Sequence, residues 1–196
     1  PLGTESGSFG DATVGVTGSV GASGASAIAI GDFNGCALLG DGIVRCWGSR
    51  AYDLFGYPTN EPQPSGVAVA GLEGATAVDI GRAHACAVLG DLSVRCWGDN
   101  FAGQLGDGTT SPHVAAGLIS GLTDVTAVAT GLFHTCVATT DGGALCWGSN
   151  SAGELGDGTT TQRTSPVPVS SVADVASLAA GGGFTCALLT DTTVRC

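Results

Sequence analysis

Residues 134–150, HTCVATTDGGALCWGSN, contain a histidine and two cysteines, whose side chains can bind a metal or undergo redox chemistry. His134 lies two residues before Cys136, and Cys146 follows Cys136 after nine intervening residues. Structural zinc sites commonly separate their paired cysteines by about two to four residues, so this spacing does not suit one. We therefore predict no metal site here and a structural role for the cysteines.

The same pattern recurs with a period of fifty residues. One cysteine series is Cys36, Cys86, Cys136 and Cys186, and the other is Cys46, Cys96, Cys146 and Cys196. His84 occupies the position of His134 in the second copy, but Asn34 and Phe184 occupy it in the outer copies, so the histidines cannot form a ring of ligands. We interpret them as hydrogen-bonding turn residues. A fixed period of this length is typical of a solenoid or a propeller.

The segments that carry these residues resemble short strands joined by tight turns. Thirty-four glycines and frequent turn signals such as Gly-Asp-Gly favour strands over helices, and HVAAGL, VTAVAT, HTCVATT and GALCWG each have the length of a strand. We predict an all-β fold, a β-propeller of four-stranded antiparallel blades with four repeats of about fifty residues, forming a partial ring or part of a larger array. The small residues of VTAVAT suit a place near the propeller axis. Counted from the tryptophans, the units of this single array (1–196) are 1–46, 47–96, 97–146 and 147–196.

The hairpin around residues 40–42, Gly-Asp-Gly, predicts how the cysteines pair. A three-residue loop with a bulge places Leu38 opposite Val44 and Cys36 opposite Cys46. Opposed residues on antiparallel strands are about 4.5 to 5.5 Å apart between Cα atoms, a distance that a disulfide can bridge. We therefore predict one disulfide inside each hairpin, and the four pairs are Cys36–Cys46, Cys86–Cys96, Cys136–Cys146 and Cys186–Cys196.

Charge and cysteine content limit the partners and the compartment. Six basic and seventeen acidic residues leave a net charge of -11, which repels phosphate backbones, so we predict no nucleic-acid partner. No apolar run approaches the roughly 18 to 20 residues that span a bilayer, so we predict no membrane insertion. Paired cysteines favour an oxidising location, namely extracellular, periplasmic or cell surface. The first ten residues lack signal-peptide features, so a secreted form would have lost its leader already.

No motif for catalysis or for a cofactor stands out in the sequence. It has no Gly-x-Ser-x-Gly elbow, no phosphate-binding Gly-Lys pair, no His-Glu-x-x-His motif and no lysine that could form a Schiff base. The GDGTT turns at 106 and 156 lack the spaced oxygen ligands of a calcium loop. We predict a protein that is not an enzyme, with no catalytic residues and no cofactor.

Two sets of residues are candidate contacts for a partner. Residues 51–65, AYDLFGYPTNEPQPS, depart from the repeat pattern and form either a binding loop or simple loop drift. The candidates in this loop are Tyr52, Tyr57, Pro58 and Pro62. A second set recurs just before the second cysteine of a pair and consists of Arg45, Arg95 and Arg195. These arginines either pack their stems on neighbouring tryptophans or form a row of partner contacts.

Residues 131–160, GLFHTCVATTDGGALCWGSNSAGELGDGTT, resemble the repeat of the regulator of chromosome condensation family, and the likeness extends over essentially the whole chain. The resemblance implies a β-propeller, which has seven blades in that family, and the cysteine-bearing version is similar to repeats of secreted bacterial members. The founding member catalyses guanine-nucleotide exchange on a small GTPase and docks on chromatin. No position here matches its exchange loop, and the acidic charge argues against chromatin, so a nucleotide-exchange regulator is the alternative function.

The chain ends at the repeat position that comes just before the position at which it begins. PLGTESGSFGD at residues 1–11 is similar to WGSNSAGELGD at 147–157, with Pro-Leu in place of Trp-Gly. We expect a part of a longer array, a fragment, or a subunit that meets another copy head to tail. The preferred function is a non-enzymatic module outside the cytoplasm that binds proteins or assembles with itself. An inhibitor or adhesin that uses the blade loops is a further alternative.

Overall fold

The computed structural model describes residues 24–32, 34–48 and 63–196, which form fifteen strands. The first sheet contains β1 (Ala25–Ile30), β2 (Asn34–Leu39), β3 (Val44–Gly48) and β4 (Gln63–Ala68). The second contains β5 (Ala75–Ile80), β6 (His84–Leu89), β7 (Val94–Gly98) and β8 (His113–Leu118). The third contains β9 (Val125–Thr130), β10 (His134–Thr139), β11 (Ala144–Gly148) and β12 (Arg163–Pro168). The fourth contains β13 (Val175–Ala180), β14 (Thr185–Leu189) and β15 (Val194–Arg195).

Every sheet is an antiparallel meander in which strands adjacent in sequence are adjacent in space. Three sheets have four strands, and the described part of the fourth has three. The predicted all-β propeller of four blades is therefore confirmed. The described residues contain no helix with the length and apolar character needed to cross a membrane.

The second and third strands of each sheet form the predicted hairpin. In the first sheet Cys36 pairs with Cys46 and Leu38 with Val44. The Leu39 amide donates to the Ile43 carbonyl across the turn, and Gly42 has a φ of 81°, a left-handed conformation that glycine adopts without strain. The same register recurs in the second and third sheets. A turn of three residues thus explains why cysteines ten positions apart face each other.

The first three disulfides join the two central strands of a single sheet, and the fourth joins Cys186 of β14 to Cys196, the residue that follows β15. The Cα atoms of each pair are 4.0 to 4.1 Å apart, slightly closer than the strand spacing predicts. The cysteines of the first three pairs are fully buried, and no free cysteine is present. Each disulfide therefore cross-links residues of a single blade and does not connect neighbouring blades.

The sheets are offset from the units counted from the tryptophans. Trp47, Trp97 and Trp147 lie inside third strands, whereas the chain passes between sheets in the turns at 69–74, 119–124 and 169–174. A unit that starts at a tryptophan consequently supplies strands to two sheets. The fifty-residue period is the same in either count.

The apolar core is divided into layers between consecutive sheets. One cluster joins the first and second sheets through residues such as Leu38, Val44 and Ile80. A second joins the second and third sheets, and a third joins the third and fourth. The first strands of consecutive sheets contact each other, so their small side chains lie where the sheets converge, as the sequence predicts.

Candidate functional site

The histidines at the start of second strands lie between sheets. His84 is fully buried, and its Nε2 atom is 2.8 Å from the Thr135 hydroxyl of the third sheet. That hydroxyl donates to the Gln104 carbonyl at 2.9 Å, so it accepts from His84, which fixes the neutral Nε2–H tautomer. His134 repeats this arrangement with Thr185 at 2.9 Å. The interpretation as turn residues is wrong, because both histidines begin strands and bridge blades.

Burial decides the charge state of these histidines. Desolvation, together with a smaller effect of the nearby His134, lowers the pKa of His84 to about 3. Desolvation also lowers the pKa of His134, although the Glu154 carboxylate opposes this effect. Both imidazoles are therefore neutral in the folded protein near pH 7. Within the described part of the chain no group of three or more His, Cys, Asp or Glu side chains is placed to hold a metal ion.

A second polar contact joins the second and third sheets at their first strands. The Asp79 carboxylate accepts from the backbone amide of Thr130 at 2.7 Å and from its hydroxyl at 3.0 Å. Burial raises the pKa of Asp79, although the hydrogen bonds from Thr130 oppose the rise. The corresponding residues between the first and second sheets are Ala29 and Ile80, both buried in one apolar cluster. Polar and apolar interfaces therefore occupy equivalent places in the array.

The outer faces of the two terminal sheets expose side chains that are buried elsewhere. We define the N-terminal end face by Ile28 and Ile30 of β1, which are 68% and 75% exposed. Ile80, the equivalent of Ile30 in the second sheet, is only 4% exposed because the first sheet covers it. The described residues thus leave one apolar sheet face uncovered at the start of the array.

The fourth sheet has the opposite face uncovered. We define the C-terminal end face by Phe184, Leu188 and Val194, which are 58%, 41% and 62% exposed. Val88 and Val94, the equivalents of Leu188 and Val194 in the second sheet, are essentially inaccessible. Among the described residues, two different apolar faces are therefore exposed, one on the first sheet and one on the fourth, and each corresponds to half of an internal interface.

The connectors that follow the tryptophans are organised by a buried asparagine. The Asn100 amide donates to the Thr109 and Ser111 carbonyls and to the Asp107 carboxylate, and its oxygen accepts from the Leu105 amide. Asn150 makes the same bonds fifty residues later. Sequence reasoning missed these residues, although Trp-Gly-x-Asn recurs at both places. The GDGTT turns use their carboxylates internally, since the Asp107 carboxylate accepts from Thr109.

Phe133, Arg82 and Asp32 lie on loops that join first and second strands, and Phe101 lies on the connector between β7 and β8. Phe101 and Phe133 meet edge to face with 4.7 Å between ring centroids, and Phe101 is exposed. The Arg82 guanidinium lies 5.4 Å from the Phe133 centroid and 3.9 Å from the Asp32 carboxylate. These residues come from loops of three different sheets, which no single repeat predicts.

The predicted partner contacts divide into two groups. Arg45 and Arg95 donate through Nη1 to the carbonyls of Gly66 and Ala116, at 3.0 and 3.2 Å, which ties third to fourth strands within a sheet. Arg195 is exposed on β15. A role for these arginines in binding a partner stays a prediction. The candidates Tyr52, Tyr57, Pro58 and Pro62 lie outside the described residues.

Repeated antiparallel sheets that pack face to face in sequence order, with a disulfide in each hairpin, define a repeat-built β-propeller. Models of the Regulator of chromosome condensation (RCC1) repeat match residues 25–52, 75–104, 125–154 and 141–188, together more than half of the chain. The chain belongs to the RCC1-repeat family.

Solved structures share this fold at low sequence identity. Human WBSCR16 is 22% identical with a TM-score of 0.76, over 85% of this chain and 44% of that chain. Prp20p from Saccharomyces cerevisiae is 22% identical with a TM-score of 0.76, over 87% and 42%. The entire ectodomain of the Physcomitrella patens receptor kinase CR4 is 22% identical with a TM-score of 0.54, over 85% and 38%. This chain thus spans less than half of each. No curated protein sequence matches it.

Proposed function

We propose that this chain is a non-enzymatic, extracytoplasmic protein-interaction module whose end sheets pack head to tail against those of a second copy. The observation that carries the proposal is the pair of apolar end faces that the described residues leave uncovered. Each is equivalent to a face that is buried between sheets inside the same chain. A head-to-tail contact of this kind is heterologous, so it produces a ring where the rotation closes and a filament where it does not.

The internal interfaces indicate how the two end faces fit. The hydrogen bond between Asp79 and Thr130 shows that a first-strand residue meets the residue fifty-one positions later in the next sheet. By the same rule, Ala179 of one copy meets Ile30 of the next, as Ala29 meets Ile80 within the chain. Both members of this pair are apolar, so the contact leaves no buried polar group without a partner.

The second contact position obeys the same logic. His84 reaches Thr135 in the following sheet, so Phe184 of one copy reaches Gly35 of the next. Phe184 has no hydrogen-bonding group and Gly35 has no side chain, so a bulky apolar residue faces the smallest one. The fourth sheet is thus suited to the first sheet of another copy, more than to a sheet that carries threonine at this position.

The size of the faces predicts reversible association. Burying one large apolar side chain contributes about 1.5 to 3 kcal/mol. Five such side chains therefore contribute an amount comparable with the roughly 4 to 15 kcal/mol that association costs in lost freedom. We expect assembly that depends on protein concentration.

Two features support an extracytoplasmic location. Four disulfides persist best in an oxidising compartment. The same fold occurs in the ectodomain of a receptor kinase, which gives a precedent for it outside the cytoplasm.

The test measures mass by sedimentation velocity over a range of concentrations, with negative-stain electron microscopy of the same samples. Ile30→Asp and Phe184→Asp each place a charge on one end face, and neither side chain is buried in a single copy. We expect each variant alone to remain monomeric. Their mixture should form dimers, because the variant with a damaged N-terminal end face keeps an intact C-terminal one, and the reverse holds for its partner.

Leu118→Asp is the matched control, because Leu118 is 50% exposed but lies on the outer strand β8 of the second sheet. It should assemble like the wild type. A wild-type chain that stays monomeric at every concentration would overturn the proposal. Equal assembly of Ile30→Asp, Phe184→Asp and Leu118→Asp would overturn the assignment to the end faces.

A further inference from the structure

A cavity of about 410 Å³ lies at one end of the third sheet, beside the turn at 119–124 and the hairpin turn between β10 and β11. Its walls include Asp124, Thr140 and Asp141 and the apolar side chain of Leu145. None of the residues that define the two end faces lines it. The third sheet packs against a neighbouring sheet on each side, so the cavity belongs to the interior of the array.

The repeat shows which kind of side chain the third sheet lacks beside this cavity. The equivalents of Leu145 in the first two sheets are arginines, Arg45 and Arg95, in the same strand register. Each donates through Nη1 to a carbonyl of the fourth strand, at 3.0 and 3.2 Å. The equivalent carbonyl of the third sheet is that of Pro166, and no described side chain donates to it. The third sheet therefore retains the acceptor without the cation.

The carboxylates at this end of the sheet also lack a basic partner. The second sheet has two of them, Glu73 and Asp91, and Arg95 accompanies them. Hydrogen bonds within its turn lower the pKa of Asp91, and the charge of Arg95 lowers it by a smaller amount. The third sheet has Asp124 and Asp141, but the lowered pKa of Asp141 comes from hydrogen bonds, with no contribution from an arginine among the described residues. This region of the third sheet is thus one unit of charge more negative.

Both carboxylates at the cavity keep an oxygen that can accept a further hydrogen bond. The Oδ2 atom of Asp124 accepts from the Thr123 hydroxyl at 3.1 Å, and the Oδ1 atom of Asp141 accepts from the Thr139 hydroxyl at 2.5 Å. No group of the described residues donates to the second oxygen of either carboxylate. The cavity therefore offers two charged acceptors beside an apolar wall.

These features favour a guanidinium over other cations. A guanidinium presents five N–H donors in one plane, and the stem of an arginine packs on apolar surface such as that of Leu145. Within the described residues no three His, Cys, Asp or Glu side chains are placed to hold a metal ion. The net charge of -11 attracts a basic partner over a longer distance.

We propose that this cavity is a binding site for an arginine side chain of a partner protein. The guanidinium donates to the carboxylates of Asp124 and Asp141, and the stem of the arginine packs on Leu145. The partner thereby supplies the kind of side chain that Arg95 provides from within the second sheet. The site goes beyond the proposed head-to-tail assembly and does not depend on it, because the third sheet has neighbours on both of its faces.

The experiment titrates N-acetyl-arginine amide into the complete, disulfide-bonded, ¹⁵N-labelled chain and follows the chemical shifts of the backbone amides. We expect saturable shifts centred on Asp124, Asp141 and Leu145. The citrulline compound of the same shape carries no charge and should cause no saturable shift. The lysine compound should bind more weakly than the arginine compound, because an ammonium lacks the planar fork of donors.

Leu145→Arg tests the site from within the chain. It supplies a guanidinium as Arg95 does in the same register, so the fold has a precedent for it and the cavity should no longer bind the arginine compound. Asp141→Asn should weaken binding about two- to fivefold, the range of an exposed ion pair. The double variant Asp124→Asn with Asp141→Asn should weaken it further. Asp91→Asn is the matched control and should bind like the wild type, because Arg95 already accompanies Asp91.

Equal shifts with the arginine and citrulline compounds would overturn the proposal, as would wild-type affinity in a folded Leu145→Arg variant or the absence of any saturable shift. Melting curves establish which variants fold. If Leu145→Arg does not fold, the double aspartate variant decides, and an unchanged affinity there would overturn the site. Failure of the chain to assemble through its end faces would leave each of these results as it is, so the two proposals are tested separately.

Discussion

The buried His84 should make the free energy of unfolding depend on pH. Burial lowers its pKa from 6.5 to about 3. Between these values the unfolded chain takes up a proton that the folded chain does not, so the stability is complete above pH 6.5 and decreases as the pH falls. A single group of this kind changes the free energy of unfolding by up to about 1.4 kcal/mol per pH unit. His84 alone should therefore remove about 2 kcal/mol between pH 6.5 and pH 4.5.

The double variant His84→Asn with Thr135→Ala isolates this contribution. It reproduces the pair that already joins the first two sheets, Asn34 and Ala85, so the fold has a precedent for it. Urea unfolding followed by tryptophan fluorescence, with the disulfides intact, gives the free energy of unfolding at each pH. The pKa of His134 is lowered and that of Asp79 is raised by folding, so these two groups also change the stability with pH. Both are present in the wild type and in the variant, so the difference between the two proteins reports His84.

We expect the difference in unfolding free energy to change steadily from pH 6.5 to pH 4.5 and to level off above that range. A difference that is the same at every pH would show that His84 titrates alike in the folded and unfolded chains. That result would contradict its burial as a neutral bridge between the second and third sheets.

Two further predictions concern a disulfide and a connector. Replacing both Cys136 and Cys146 by serine should lower the free energy of unfolding by roughly 2 to 3 kcal/mol, because the unfolded chain loses a closed loop of ten residues. Chemical denaturation under oxidising conditions measures this free energy. An unchanged value would contradict a closed bridge. Asn100→Ala should cost about 1 to 3 kcal/mol, because it leaves the Leu105 amide without its acceptor. Thr110→Ala, on an exposed residue of the same connector, should be nearly neutral in the same assay.

The hairpins could be predicted from sequence because their information is local. A Gly-Asp-Gly turn determines the pairing of the strands on either side, and this places Cys36 opposite Cys46 without reference to the rest of the molecule. The recurrence of that hairpin at a constant period then establishes a repeat array. Both conclusions depend only on spacing along the chain.

Contacts between sheets could not be predicted in the same way, because a period does not say which face meets which. The sequence nevertheless contains a pattern that indicates these contacts. His84 and His134 are each followed fifty-one residues later by a threonine, Thr135 and Thr185. Asn34 is followed at the same distance by Ala85. Comparing each residue with those of the following copy would have revealed the pairing. The cluster of Phe101, Phe133 and Arg82 left no such signal, since its loops belong to different sheets.

The residue pairs between sheets also determine which sheet faces can pack against each other. Asp79 is partly buried beside Thr130. Opposite an isoleucine its carboxylate would lose both hydrogen bonds, which costs about 1 to 3 kcal/mol for a buried group and more for a charged one. Ala179 and Ile30 carry no such requirement. In the proposed head-to-tail contact the end faces would therefore join without a polar penalty, whereas a sheet with isoleucine at the position of Thr130 could not replace the third sheet beside Asp79. The Asp79–Thr130 pair thus distinguishes this internal interface from the apolar contact that we propose between the end faces.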